Sequence, residues 1–140
     1  MSDPLLASIR VAGTGLQVQS HRVRVVSENI ANKDSTGNLP GSNPYTRKTI
    51  TFASEFDREL GATAVRIDRI DFDPTPYTVE HDPGHPAADA NGYVKRPNVN
   101  MLIELADIRE ANRSYEANLQ IVKQARAMIG MTIDLMRSNS

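Results

Sequence analysis

Apolar positions recur at helical spacing at both ends of this chain and alternate, strand-like, in its middle. Leu5, Ile9, Ala12, Leu16, Val23, Val26 and Ile30 fall on one face of a helix, with Gln19 filling the gap in the series. Ser2 or Asp3 is placed to cap that helix, and Pro4 suits an early helical position. The turn formers of ENIANKDSTGNLPGSNP end it near Asn32. Gly13 and Gly15 either weaken it by about 1 kcal/mol each relative to alanine or admit the close approach of a neighbour.

The C-terminal pattern is longer. Met101, Leu105, Ile108, Asn112, Tyr115, Leu119, Val122, Arg126, Ile129, Ile133 and Met136 alternate steps of four and three, a heptad-like seam, and a slight change of face substitutes Ala125 for Arg126. Its polar members, Asn112 and Arg126, either set register or lie partly exposed. A helix from Asn98 to Met136 would be on the order of 58 Å long, and Asn98, after Pro97, is suited to cap it.

Seven of the eight prolines lie between Pro40 and Pro97, so the middle is not helical. RKTITF reads as a short strand and ASEFDREL as a helical turn. In AVRIDRIDF, Val65 and Ile67 share one face while Ile70 and Phe72 share the other, which predicts a bulge or bend at Asp68 and Arg69. PYTVEH is a further strand, and HDPGHPAADANG is turn-prone. The fold class expected is α with a small irregular β-rich insertion, its two long terminal helices packed as an antiparallel coiled-coil-like pair. Residues 1–32 together with 98–140 would make a helical axial core, and residues 33–97 an extended loop and small β-rich outer region.

Composition shows what such a pair lacks. Among 140 residues there is no tryptophan, aromatics are 5%, and the only phenylalanines, Phe52, Phe56 and Phe72, all lie in the middle, where they predict a thin core. Two helices leave much of each circumference open, so the stripes are expected to pack laterally against other chains. A net charge of -1 gives no electrostatic reason for a nucleic-acid or anionic-membrane partner. Without cysteine there is neither a disulfide framework nor a thiolate metal site. No run of apolar residues is long enough to span a membrane, and the N-terminus lacks the features of a cleaved secretory signal.

Catalytic signals are weak. His81 and His85 frame HDPGH, but Pro83 and Gly84 prevent the helix that would put both rings on one face, so a surface turn is expected rather than a metal site. His21 has no serine nucleophile or orienting carboxylate in a recognisable motif. Asp68, Asp71 and Asp73 alternate with Arg66 and Arg69, which salt bridging explains. Gly13, Thr14 and Gly15 lack phosphate-loop spacing. No catalytic, cofactor or metal residue is assigned; the competing classes are a coiled-coil adaptor or export chaperone and, further behind, an enzyme.

Four stretches carry a family resemblance: VSENIANKDSTG, PYTRKTITF, DPGHPAADANGYVKRPNVN and SYEANLQIVKQARAMI. Together the chain closely resembles the bacterial flagellar rod proteins, specifically those of the proximal rod, over essentially its whole length. The match falls on Asn29, Ile30, Ala31, Asn32 and Thr36 at the helix end and on Tyr45 at the next strand. It continues through the loop Asp82, Pro83, Gly84, His85 and Pro86, then Gly92, Tyr93, Pro97, Asn98, Val99 and Asn100, and ends on Ser114 to Asn118. The resemblance implies assembly and folding roles for these positions. It also implies export without a cleaved signal through the flagellar type III apparatus, and placement in the periplasm-crossing rod. The implied neighbours are the rod proteins FlgB, FlgF and FlgG, the rod-base junction protein FliE, and further copies of the chain itself.

Overall fold

A computed structural model describes residues 3–140. Helix α1 spans Pro4–Ala31. Strands β1 (Lys48–Asp57), β2 (Ala62–Phe72), β3 (Thr78–His81) and β4 (Tyr93–Arg96) follow, and helix α2 (Met101–Ser138) closes the chain. Asp3 caps α1, its Oδ1 accepting from the Leu5 amide at 2.9 Å, while Ser2 lies outside the described residues. The cap of α2 is Asn100, whose Oδ1 accepts from the Leu102 amide at 3.0 Å, and not Asn98 as predicted. Asn98 is occupied elsewhere: its Oδ1 takes the Arg47 amide, and its Nδ2 donates to the carbonyls of Asp73 and Thr75.

The strands form two two-stranded sheets, β1 with β2 and β3 with β4. The predicted helical turn at ASEFDREL is a continuation of β1 through Asp57. Only its end turns, where Asp57 accepts from the amides of Glu59, Leu60 and Gly61. β2 runs unbroken through Asp68 and Arg69, and the switch of apolar phase appears as a change of exposure: Val65 and Ile67 are half-buried, Ile70 and Phe72 exposed. β4 was not predicted; it pairs antiparallel with β3, setting Thr78 opposite Arg96 and His81 opposite Tyr93.

The chain divides into two compact units. The first holds the chain up to Arg22, Thr51–Arg69 and Glu110–Ser140; the second holds Val23–Ile50 and Ile70–Arg109. Both contain paired stretches of α1 and α2. In the first unit Gly15 lies against Asn118, and in the second Asn29 donates to Glu104 at 3.3 Å, so the helices run antiparallel. The buried apolar side chains are all alanine or valine, including Ala12, Val18, Val25 and Val26 on α1 and Ala111 and Ala125 on α2. The phenylalanines do not fill the core: Phe52 is half-buried, and Phe56 and Phe72 are exposed.

Small residues at the helix contact have a geometric reason, since helices approach closely only where side chains are short. A Cβ on Gly15 would stand 2.7 Å from the Asn118 side-chain nitrogen, so this glycine admits a close neighbour. Gly13 has nothing within 4 Å and is the tolerated weak spot.

Candidate functional site

The second unit contains a buried polar junction. Asn29, in the last turns of α1, is 0% exposed. Its Oδ1 accepts from the Tyr45 hydroxyl at 2.7 Å and the Lys48 amide at 2.9 Å. Its Nδ2 donates to the Lys48 carbonyl at 2.9 Å and to Glu104. One amide side chain therefore satisfies the entry of β1, the aromatic before it and a carboxylate on α2. That full pairing is what allows a polar group to be buried without large cost.

Glu104 is also 0% exposed, and Arg47 neutralises it. The guanidinium Nε donates to Glu104, while its two terminal nitrogens donate to Asp73 at 2.9 Å and Asp107 at 3.2 Å. Burial pulls the Arg47 pKa down, but the hydrogen bonds and charges of Glu104 and Asp73 outweigh it and the net shift is upward. Asp73 is held below the ordinary carboxylate range by the hydroxyl and amide of Thr75, with Arg47 adding to the effect. Tyr45 is pushed up to about 12 by burial and by the negative charges of Glu28 and Glu104. Arg47 stays a cation, Asp73 an anion and Tyr45 a donor across the physiological range.

A second set of contacts joins the turn after α1 to the loop between β3 and β4. His85 Nδ1 accepts from the Ala87 amide at 3.0 Å, which leaves Nε2 to carry the proton and donate to Thr36 Oγ1 at 3.1 Å. The Gly41 amide donates to the Ala87 carbonyl at 3.1 Å, and Asp82 pairs with Gly92 at 2.9 Å. Gly92 has φ +83°, and a Cβ there would stand 3.0 Å from Pro83, so only glycine fits this turn without strain. Ala87, Ala88 and Val94 form the small apolar cluster beneath. His81 packs its ring edge-on against Tyr93 at 4.9 Å. Among the described residues no group of His, Asp and Glu is arranged to hold a metal ion.

The predicted helix positions differ in exposure between the two helices. On α1, Val26 is buried and Leu5, Ile9, Leu16, Val23 and Ile30 are half-buried; Asn32, just past the helix end, bonds back to the Glu28 carbonyl. On α2, Ile108, Leu119, Val122 and Ile129 are half-buried, while Leu105, Asn112, Tyr115, Arg126 and Ile133 are exposed. The inward positions are Glu104, Ala111, Asn118 and Ala125, one heptad apart and each one residue before the predicted Leu105, Asn112, Leu119 and Arg126. Periodicity of large apolar residues missed this phase because the inner face is built of small and polar ones. Arg47 and Glu104 were missed for the same reason; a heptad count starting from Ala125 would have reached Glu104.

Large apolar side chains remain open on α2, and every residue from Met131 to Ser140 is exposed. Leu102, Met128, Met131, Leu135 and Met136 are all more than half exposed. No helix among the described residues is long and apolar enough to cross a membrane.

Residues 9–37 match the family model described as flagella basal body rod protein, and residues 90–135 match the flagellar basal body rod FlgEFG protein C-terminal model. The flagellar basal-body rod protein FlgC of Agrobacterium fabrum is 56% identical over 137 residues, covering 98% of this chain and 99% of that protein. The FlgC proteins of Salmonella typhimurium and Yersinia enterocolitica are 36% and 38% identical, each covering 94% of this chain and 97% of its own length. With that identity over nearly its whole length, the chain belongs to the flagellar basal-body rod protein FlgC family.

Proposed function

We propose that this chain is a subunit of the flagellar proximal rod that assembles through its terminal helices into the periplasm-spanning shaft and transmits motor torque. The observation that carries the reading is the exposed apolar surface of α2 toward its C-terminal end, where Met128, Met131, Leu135 and Met136 are all more than half exposed. An isolated subunit leaves this apolar surface in water, and lateral packing against like helices removes it. In this reading residues 1–32 and 98–140 form the axial part of the shaft and residues 33–97 its outer part. The neighbours are FlgB, FlgF, FlgG, the junction protein FliE and further copies of the chain, reached by export without a cleaved signal.

The test is a pair of substitutions at exposed positions of α2. Met131→Asp with Leu135→Asp is expected to leave the secreted subunit folded, because both side chains already face solvent. The same variant is expected to be absent from purified basal bodies, since assembly would bury carboxylates without partners. Normal incorporation and normal motility would overturn the assignment of this face. An adaptor or chaperone role predicts instead that the wild-type chain is missing from basal bodies.

A further inference from the structure

We infer that Arg47 and Glu104 act as a register key, selecting one axial alignment of α2 on α1 from several that apolar packing alone would accept. The inner face of α2 repeats: Glu104, Ala111, Asn118 and Ala125 recur at seven-residue spacing. Three of the four are alanine or asparagine, and Gly15 on α1 presents no side chain against the third. A seam of such small residues discriminates poorly between alignments that differ by one heptad. The charged group breaks the degeneracy. In the observed alignment Glu104 is fully buried yet receives Arg47 Nε and Asn29 Nδ2. Arg47 is itself fixed from outside the helices, its amide donating to Asn98 at 2.7 Å and its side chain to Asp73. Displacing α2 by one heptad would carry the carboxylate away from both donors and leave a charge buried without a partner, which is prohibitive. Of the two readings open for Asn112 and Arg126, register or exposure, the second holds, since both are exposed.

A register key differs from a simple stabiliser in what happens when it is replaced by apolar side chains of similar size. The variant Arg47→Met with Glu104→Leu removes the charge pair but keeps the volume, and Asn29 retains its bonds to Tyr45 and Lys48. Because the chain contains no cysteine, Ser20→Cys and Ala127→Cys, both at exposed positions, give two unique sites for spin labels on the full-length protein. Their separation is read by pulsed electron resonance. A one-heptad displacement changes the axial offset by about 10 Å. The charged parent is expected to give one narrow distance, and Glu104→Gln, which keeps shape and hydrogen bonding, the same one. The Met and Leu variant is expected to keep its helical circular dichroism and to show a second population displaced by about one heptad. A single parental distance in that variant, or loss of its helical signal, would overturn the inference and leave the pair as a stabilising contact only.

Discussion

Thr36 Oγ1 and His85 Nε2 lie 3.1 Å apart although 49 positions separate them in sequence. The contact ties the turn that ends α1 to the loop between β3 and β4, and His85 completes it by accepting the Ala87 amide. His85→Ala removes both bonds without touching either helix. The expected loss is about 1–3 kcal/mol of stability, with faster amide exchange at Ala87 and Gly41 and with the helices still protected. Hydrogen exchange followed by mass spectrometry reads both regions in one experiment, and equal protection of the loop in the variant would show the contact to be idle.

Replacing Arg47 by methionine alone should be far more damaging than replacing it together with Glu104. The single variant leaves a buried carboxylate supported only by Asn29, a situation that costs about 3–5 kcal/mol. Adding Glu104→Leu removes the orphaned charge and should restore most of the loss. Urea unfolding of the two variants checks the sign, and a double variant less stable than the single one would contradict it.

Gly15 and Gly13, two positions apart, should respond oppositely to substitution. Gly15→Val drives branched carbons into the Asn118 side chain, which a mere Cβ would already approach to 2.7 Å, and overpacking of this kind costs about 1–3 kcal/mol. Gly13→Ala meets nothing within 4 Å and should stabilise α1 by about 0.5–1 kcal/mol. Thermal unfolding measures both, and adding Asn118→Ala to the Gly15 variant should recover stability.

Tyr45 gives stability a dependence on high pH. Its folded-state value of about 12 lies above the ordinary 10.0, so above pH 10 the unfolded chain loses this proton before the folded one does. The stability it contributes is present below pH 10 and falls as pH rises toward 12. Tyr45→Phe should flatten that part of the profile. Ultraviolet titration should show a phenol ionising above the ordinary value of 10.0 that is missing from the Tyr45→Phe variant.

Asp73 acts at the other end of the scale. Its folded-state pKa is depressed, first by Thr75 and then by Arg47, so its contribution is present above the ordinary value of 3.8 and is lost as pH falls below it. Asp73→Asn should reduce the acid sensitivity of unfolding while lowering stability at neutral pH. An unchanged acid limb in that variant would show that other carboxylates govern it.

The two helices, the non-helical middle and the family were legible in the residues alone. Helical spacing from Leu5 to Ile30 and from Met101 to Met136 is a local property, and so is the exclusion of helix by clustered proline. Strand β3 and the first half of β1 were legible from local alternation. Which face of α2 turns inward was settled by packing. Leu105 and Leu119 are the more hydrophobic residues, yet Glu104, Ala111, Asn118 and Ala125 take the inner positions, because a close helix contact selects for small size and for charges that can be paired. The pairing of Glu104 with Arg47 spans 57 residues, and no local pattern encodes such a partner. The same holds for β4, a four-residue strand recognisable only once β3 supplies its edge, and for Asn98, drawn from a capping role by the Arg47 amide.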